Sequence, residues 1–204
     1  MSKRLELAKR ISGKEQYYTL PEVVDQCIQI ALPYLGEEDI LEPAGGTGEF
    51  IKGLIKKGIN ADRIQSFDIE PKYDLVEKGD FLNQTMMPYA FGQVFTITNP
   101  PYGRANSLSV KFFNHAAECS TYICFLVPKA WRKWSVINKL NDHYHLVEDV
   151  DMPKVAFYND DGLIQGGNLS TVFQVWERRV EKRQKITVEN RGYLENSTPT
   201  DADV

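Results

Sequence analysis

The sequence predicts an α/β protein with a doubly wound, mostly parallel sheet of about seven strands and an antiparallel last strand. Near-continuous apolar runs at 94–98 and 122–127 are typical of strands in the middle of a parallel sheet. A short apolar strand at Ile40–Leu41 runs through a glycine-rich turn into a helical pattern that begins at Phe50. This strand–turn–helix unit opens many α/β sheets, and it carries the prediction of fold class.

Composition bounds the size and class of the protein. The chain has 204 residues, of which 42% are hydrophobic and 25% charged, so one globular domain with a sizeable core is expected. We expect an N-terminal extension over 1–15, a folded domain over 16–180 and a polar, disordered tail over 181–204. The net charge of −4 supplies no global basic field, so any contact with nucleic acid has to use a local patch.

The patterns of cysteine, histidine and hydropathy argue against several classes of protein. Cys27, Cys119 and Cys124 lie in apolar segments without paired spacing, which indicates reduced, buried thiols of a cytoplasmic protein. The histidines show no metal-ligand spacing, so no metal is expected. No apolar run approaches the length of a membrane span and no signal-peptide core is present, so no membrane partner is expected.

The first helix is predicted after residue 16, where the charged N-terminal segment ends. Thr19 and Glu22 have capping-box spacing, apolar residues then recur on one helical face, and Gly36 is expected to close the helix. The aromatic pair Tyr17–Tyr18 before the cap is either a hydrophobic staple or a ligand contact.

The glycine-rich turn, residues 42–50, indicates the charge of its ligand. Its glycines allow a ligand to approach the backbone closely. A pyrophosphate would face the carboxylates of Glu42 and Glu49, whereas a ligand with an amine and a sulfonium is favoured by them. That ligand is S-adenosylmethionine. A purely structural glycine turn is the alternative.

Two further strand ends support a cofactor site. Asp68 ends a strand twenty residues after Gly48, the distance at which a carboxylate meets ribose hydroxyls, and Ile69 would then face the adenine. Asp80 and Phe81 follow as an acid and an aromatic ring suited to the adenine amine and ring. An exposed acid at a strand end is the alternative for Asp68.

The stretch Asn99-Pro100-Pro101-Tyr102 follows the buried strand 94–98. The prolines stop ladder pairing and hold Asn99 extended, so the Asn99 side-chain oxygen and the Pro100 carbonyl can point the same way. Two such acceptors suit a planar exocyclic amine, whose lone pair then turns toward an electrophile, while Tyr102 offers a face for stacking. A strand-ending turn with a structural asparagine is the alternative.

Basic and aromatic residues interleave after the strand 122–127. Lys129 and Trp131 are candidates for a phosphate-contacting surface, and a helix start with its tryptophan packed inward is the alternative. Further on, 146–150 and 170–176 are predicted as strands of an edge hairpin, with a mobile loop at 159–168.

The ordered motifs resemble those of the N6-adenine-specific DNA methyltransferases of the γ order, in a compact form. The resemblance covers roughly residues 16–180 and rests on these segments: 18–24, 41–44 with Gly48 and Phe50, 68–71, 80–82 and 99–103. It implies a class I S-adenosylmethionine-dependent methyltransferase with a Rossmann-like sheet.

The resemblance also implies roles for individual residues. Thr19, Glu42, Ala44 and Asp68 should contact the methionine and ribose, and Asp80 and Phe81 the adenine of the cofactor. Asn99 and Pro100 should hold the target amine, Tyr102 should stack on the flipped base, and Phe157, or else Tyr158, should supply a second aromatic ring. The full predicted cofactor set is Tyr18, Thr19, Glu42, Pro43, Ala44, Gly45, Gly48, Phe50, Asp68, Ile69, Asp80, Phe81 and Asn99; the predicted substrate set adds Pro101, Lys129 and Trp131.

The expected activity is methyl transfer to adenine N6 in duplex DNA, with S-adenosylhomocysteine as product, in the cytoplasm of a prokaryotic or phage-infected cell. Larger members of the family carry a separate recognition domain for which this chain has no room. A specificity subunit or a homo-oligomer is therefore an expected partner. RNA adenine or a protein glutamine side chain is an alternative substrate, and a non-catalytic subunit of a DNA-binding complex is a further alternative.

Overall fold

A seven-stranded sheet forms the centre of the protein. The structure is a computed structural model and describes residues 18–85, 94–154, 156–158 and 170–188. The strands are β1 (Tyr18–Thr19), β2 (Asp39–Glu42), β3 (Ile64–Asp68), β4 (Glu77–Lys78), β5 (Val94–Thr98), β6 (Ser120–Pro128), β7 (Tyr144–Asp151), β8 (Phe157–Tyr158) and β9 (Thr171–Arg178). The order in the main sheet is β4-β3-β2-β5-β6-β9-β7, and β1 and β8 form a separate two-stranded ribbon.

The direction of the strands confirms the predicted fold class. Strands β4, β3, β2, β5 and β6 pair in parallel, whereas β9 pairs antiparallel with both β6 and β7. The predicted hairpin of β7 and β9 is present, but β9 lies inside the sheet and β7 forms its edge.

Helices cover both faces of the sheet, as a doubly wound fold requires. They are α1 (Pro21–Ala31), α2 (Glu49–Lys56), α3 (Ser107–Ala116) and α4 (Trp134–Ile137), with short 3₁₀ turns at Leu32–Tyr34, Ala61–Arg63, Phe81–Asn83, Arg104–Asn106 and Lys129–Arg132. The apolar faces of α1 and α2 pack in one core cluster and that of α3 in another. Every residue of β5 is buried, which agrees with its continuous apolar run.

The parallel strands bring the predicted motifs to one edge. The glycine loop follows β2, Asp68 ends β3, and the Asn99 corner follows β5, which pairs with β2. Because the carboxyl ends of parallel strands meet at the same edge of a sheet, these segments lie together there.

The start of the first helix differs from the prediction. Thr19 belongs to β1, where it pairs with Phe157, and α1 begins at Pro21 without a side-chain cap. Strand pairing holds Thr19 in an extended conformation, and proline is well suited to the first helical turn. The helix ends at Ala31 rather than near Gly36, because Pro33 cannot continue it.

The chain beyond β9 makes hydrogen bonds with the domain as far as Ile186. Arg183 Nη2 donates to Ile137 O at 2.9 Å, and Asn138 exchanges two hydrogen bonds of 2.9 Å with the backbone of Ile186. Arg183 and Ile186, within the predicted tail, are therefore bonded to the domain, and the domain boundaries themselves stay a prediction. The predicted extension 1–15, the aromatic residue Tyr17, the loop 159–168 and the tail 189–204 lie outside the described residues. Cys27, Cys119 and Cys124 are buried and form no disulfide, as expected.

Candidate functional site

A cavity of about 410 Å³ opens at the carboxyl edge of the sheet. Its volume lies in the range of small-molecule sites, which is roughly 300–1,000 Å³. The wall is formed by Tyr18, Thr19, Pro43, Ala44, Gly45, Gly46, Thr47, Glu49, Phe50, Asp68, Ile69, Glu70, Gly79, Asp80, Phe81, Leu82, Asn99, Pro100, Pro101, Tyr102, Leu108 and Phe112. Most of the predicted cofactor residues and the whole Asn-Pro-Pro-Tyr corner thus share one cavity.

The glycine loop shapes one side of the cavity. Gly46 and Gly48 have φ angles of 47° and 77°, which favour glycine. A Cβ atom at Gly48 would also lie 2.2 Å from Tyr73 Cδ1, so no other residue fits there without displacing that ring. Gly48 lies behind the loop at the start of α2 and does not contribute to the cavity wall, so its placement supports a structural role in the turn.

Asp68 holds the tip of the glycine loop. Its Oδ2 accepts a hydrogen bond from Gly46 N at 2.9 Å, and its Oδ1 accepts one from Glu70 N at 2.8 Å. An ionised carboxylate has about four acceptor positions, so Asp68 retains capacity for ribose hydroxyls. Ile69 is 63% exposed and lines the cavity, as expected of a residue that would cover an adenine ring.

Asp80 and Phe81 form the far wall in different ways. Asp80 is exposed and caps a 3₁₀ turn, accepting from Leu82 N at 3.1 Å and Asn83 Nδ2 at 2.9 Å. Phe81 is 1% exposed, and its ring centroid lies 5.2 Å from that of Phe112. The two phenylalanines give an apolar wall beside the acid, an arrangement suited to the ring and amine of adenine.

The charges of the cavity wall are of one sign. Glu49, Asp68, Glu70 and Asp80 line it, and among the described residues no lysine or arginine does so. A wall of this sign favours a cationic ligand and disfavours a pyrophosphate.

The Asn99 corner stands opposite the glycine loop. Asn99 is half-buried and Pro100 buried, and both line the cavity. The Tyr102 carbonyl accepts from Leu108 N at 3.2 Å and Ser109 N at 3.3 Å, which anchors the corner to the start of α3. These bonds hold the Tyr102 end of the corner against α3.

The ring of Tyr102 packs against the core cluster on the α1 side. Its hydroxyl is buried and has no hydrogen-bond partner within the part of the chain that the structure describes. Burial raises the pKa of Tyr102 above its ordinary value, so the hydroxyl is neutral and serves no acid–base purpose here.

The side chain of Glu42 is turned away from the cavity. Its side chain is 1% exposed, lies beneath the glycine loop and does not line the cavity. The carboxyl group accepts hydrogen bonds from Ala44 N at 3.2 Å, from Ser66 Oγ at 3.5 Å and from Thr98 Oγ1. The prediction of a direct contact between Glu42 and the methionine is not supported by this placement, because polar groups of the protein itself satisfy the carboxyl.

The turn after β6, Lys129–Arg132, also binds other parts of the protein through its basic and aromatic side chains. Trp131 is fully buried and donates from Nε1 to Ser109 Oγ at 3.1 Å, so the inward-packed alternative describes it. Lys129 Nζ lies 2.8 Å from Asp151 Oδ2. Neighbouring Arg132 binds Asp149 through two nitrogens, at 2.8 and 3.0 Å. The placement of Trp131 and Lys129 therefore does not support a role as substrate contacts.

The two candidates for a second aromatic ring lie on opposite sides of β8, as alternation in a strand requires. Phe157 is 3% exposed, packs in the core and does not line the cavity. Tyr158, the second choice, is half-buried, and its hydroxyl lies 3.1 Å from Thr47 Oγ1. Of the two, only Tyr158 reaches the glycine loop.

Several site residues were not predicted. Leu108 and Phe112 lie on the cavity wall, where their spacing of four lets both face the same side. Tyr73, which packs on Gly48, lies in a loop without a pattern that could have revealed it. Within the described ranges, no three His, Cys, Asp or Glu side chains are grouped as metal ligands. None of the described helices is long and apolar enough to cross a membrane.

Comparison with known proteins shows the fold. No protein-family model matches the sequence, and no curated protein sequence matches it. Many solved structures do match. A presumed RNA methyltransferase, PH1948 from Pyrococcus horikoshii, is 14% identical with a TM-score of 0.60, covering 88% of this chain and 100% of its own. A presumed class I S-adenosylmethionine-dependent methyltransferase from Listeria monocytogenes is 15% identical with a TM-score of 0.57, covering 90% of this chain and 70% of its own.

A subunit of a restriction enzyme is also among these structural neighbours. The M protein of the type I restriction enzyme EcoKI is 15% identical with a TM-score of 0.58; the match covers 83% of this chain and 46% of that protein. This chain thus spans less than half the length of the EcoKI subunit. The protein has the Rossmann-like fold of the class I S-adenosylmethionine-dependent methyltransferases.

Proposed function

We propose that this protein transfers a methyl group from S-adenosylmethionine to the N6 amine of adenine in DNA. The observation that carries the proposal is the shared cavity: Asn99 and Pro100 line the same space as the glycine loop and Asp68. Residues suited to an acceptor amine and a pocket suited to a cationic methyl donor therefore share one cavity.

The chain's residues fit the donor. Asp68 retains acceptor capacity for ribose hydroxyls, Phe81 and Ile69 provide apolar surface for a purine, and the acidic wall suits a sulfonium and an amine. When bound, S-adenosylmethionine supplies an electrophilic methyl group on its positively charged sulfur.

The corner prepares the acceptor amine. The Asn99 side-chain oxygen and the Pro100 carbonyl accept the two N6 hydrogens, which localises the nitrogen lone pair toward the methyl group. The N–CH₃ bond forms as the S–CH₃ bond breaks, and one N6 proton then leaves to water. The protein contributes alignment and fixed dipoles, and these account for large rate factors without a strong base.

A duplex substrate has to present its adenine outside the helix, at a cost of a few kcal/mol. Tyr102 also lines the cavity, and the part of its ring that does not pack on the core would stack on an extruded base. Because the described side chains of the cavity wall carry negative charge, duplex binding calls for a phosphate-contacting surface from a partner subunit or a second copy.

A second candidate is methyl transfer to an RNA adenine or to a glutamine side chain of a protein, and the acidic cavity wall favours the glutamine over either nucleic acid. A glutamine amide offers the same two hydrogens to Asn99 and Pro100 and needs no phosphate-binding surface. The structural neighbours include the M protein of a type I restriction enzyme and a presumed RNA methyltransferase, so the fold alone does not decide between the substrates.

The test is transfer of labelled methyl from S-adenosylmethionine to duplex DNA, RNA and protein, followed by nucleoside and amino-acid analysis. N6-methyladenine in DNA is the expected product. Methylglutamine or RNA N6-methyladenine without DNA modification would replace the first proposal with the second. Cofactor binding without transfer to any of the three would indicate a non-catalytic subunit.

A further inference from the structure

Glu42 is a buried carboxyl group that the proposed reaction does not use. It ends β2 beneath the glycine loop, and its side chain is 1% exposed. Burying such a group is unfavourable unless hydrogen bonds compensate it. The hydrogen-bond partners of the Glu42 carboxyl group therefore decide how the protein accommodates it there.

The carboxyl group joins three separate segments. Oε1 accepts from Thr98 Oγ1 on β5 and from Ala44 N in the glycine loop at 3.2 Å, and Oε2 accepts from Ser66 Oγ on β3 at 3.5 Å. Strand β2 lies between β3 and β5, and Glu42 is paired with Ser66 in the sheet. One side chain thus spans the carboxyl ends of the three strands that carry the site.

Two of these hydrogen bonds connect Glu42 to the two sides of the cavity, one to the Asn99 corner and one to the glycine loop. Thr98 directly precedes Asn99, so its hydroxyl is bound at the last strand residue before the corner. Ala44 lines the cavity on the cofactor side. A shift of about 1 Å between reacting groups costs roughly a hundredfold in rate, so a bond that fixes this relation matters for transfer.

We propose that Glu42 is a positioning residue. Through Thr98 it fixes the strand end that carries Asn99, and through Ala44 it fixes the glycine loop. The acceptor site and the methyl-donor site are thereby kept in a fixed relative position. For its effect on catalysis the inference rests on the proposed function. The structural part, that the Thr98 hydroxyl sets the position of Asn99, stands independently and is tested without substrate.

The chain offers a matched pair of substitutions on β5. Thr98→Val removes the hydroxyl that binds Glu42 and keeps a branched side chain at a buried position. Thr96→Val is the same change two residues earlier, where the hydroxyl is 2.7 Å from Ser120 Oγ instead. Both sites are 0% exposed, so loss of one buried hydroxyl is common to the two variants.

The experiment records the ¹H–¹⁵N resonance of the Asn99 side-chain amide, assigned by its loss in Asn99→Ala, in the ligand-free protein. Thr98→Val should move this resonance, whereas Thr96→Val and Thr98→Ser, which keeps the hydroxyl, should leave it in place. Thr98→Ala repeats the loss of the hydroxyl if the valine variant does not fold. An unmoved resonance in the folded Thr98 variant, or an equal movement in Thr96→Val, overturns the inference.

Calorimetry and transfer assays complete the comparison. We expect Thr98→Val to change S-adenosylmethionine affinity by less than about threefold and to lower the transfer rate by about tenfold or more. Parallel loss of affinity and rate in the Thr98 and Thr96 variants would indicate a merely structural role. Failure of the unmodified protein to bind S-adenosylmethionine would instead overturn the proposed function, while the comparison of resonances would still hold.

Discussion

The hydroxyl groups of Thr47 and Tyr158 lie 3.1 Å apart, and this contact joins the glycine loop to strand β8. On the neighbouring strand of the ribbon, Tyr18 pairs with Tyr158, and their ring centroids are 5.3 Å apart. A Cβ atom on Gly46 would lie 3.3 Å from the Tyr18 ring. The ribbon of β1 and β8 thus packs directly against the loop that forms the cofactor side of the cavity.

Tyr158→Phe should weaken S-adenosylmethionine binding by roughly threefold to tenfold, because one hydrogen bond that holds the loop, worth about 1 kcal/mol, is lost. Isothermal calorimetry measures the change. Tyr122→Phe is the control, since it removes a hydroxyl that bonds Glu177 at 3.1 Å and does not line the cavity. Equal effects of the two substitutions would show that the ribbon has no specific influence on the loop.

Asn99→Ala should lower methyl transfer by about a hundredfold or more while S-adenosylmethionine affinity changes by less than about threefold, because the amide acts on the acceptor amine in the transition state. Single-turnover transfer and calorimetry separate the two quantities. Asn114→Ala is the control, since that side chain bonds Lys139 O away from the cavity. Near-normal turnover of Asn99→Ala would remove the assigned role.

Asp68→Ala should weaken S-adenosylmethionine binding by roughly tenfold to a hundredfold, the range expected when charged hydrogen bonds to a ligand are lost. The substitution also releases Gly46 N, so thermal unfolding should be recorded alongside calorimetry. Asp62→Ala, at an exposed position in the turn before β3, serves as control. Unchanged affinity in Asp68→Ala would place the ribose elsewhere.

The sequence predicted the location of the site because strands leave a strong local signal. The apolar run of β5 is followed by Asn99 and Pro100. Because proline stops strand pairing, this pattern places Asn99 at the carboxyl edge of the sheet. The same reasoning places Asp68 and the glycine loop beside it, since parallel strands share that edge. For these residues, a pattern within one segment was sufficient.

The orientation of the Glu42 side chain could not be predicted from a pattern within one segment. Its side chain turns inward because Ser66 and Thr98 place hydroxyls under the loop, and these residues lie 24 and 56 positions away in the sequence. Likewise, Lys129 is bound by Asp151, 22 residues further on, at the end of β7. Whether a polar side chain faces a ligand or another part of the protein depends on such distant partners, which no single segment reveals.

Tyr102→Phe should raise the free energy of unfolding by about 1 kcal/mol and leave methyl transfer nearly unchanged. It removes a buried hydroxyl that has no partner among the described residues and keeps the ring. Chemical denaturation provides the measurement. Tyr144→Phe is the control and should destabilise, because its buried hydroxyl donates to Ser120 O at 2.6 Å.

Tyr102→Ala separates the ring from the hydroxyl in the same series. If the ring stacks on the target base, transfer should fall by about tenfold or more in the alanine variant, since base stacking on an aromatic side chain is worth about 1–3 kcal/mol. Loss of transfer in Tyr102→Phe as large as in Tyr102→Ala would show that the hydroxyl, rather than the stacking face, is required.

Glu42 should make the stability of the protein depend on pH in a defined window. Burial, assisted by the negative charge of Asp68, raises the pKa of Glu42 from 4.5 to about 8, against the opposing effect of its hydrogen bonds with Thr98, Ala44 and Ser66. Between these values the folded protein binds a proton that the unfolded chain has released. The stabilising contribution of the neutral carboxyl is therefore complete below pH 4.5 and declines as the pH rises toward 8.

Denaturant unfolding of the unmodified protein and of Glu42→Gln, measured at intervals from about pH 5 to 9, tests this linkage. The difference in unfolding free energy, unmodified protein minus variant, should fall across the window by at most about 1.4 kcal/mol per pH unit and level off above it. Glu37→Gln, at an exposed position, controls for a general effect of removing a carboxylate. A flat or rising difference for Glu42→Gln would mean that the carboxyl is ionised in the folded protein, held by the hydroxyls of Thr98 and Ser66 and the Ala44 amide.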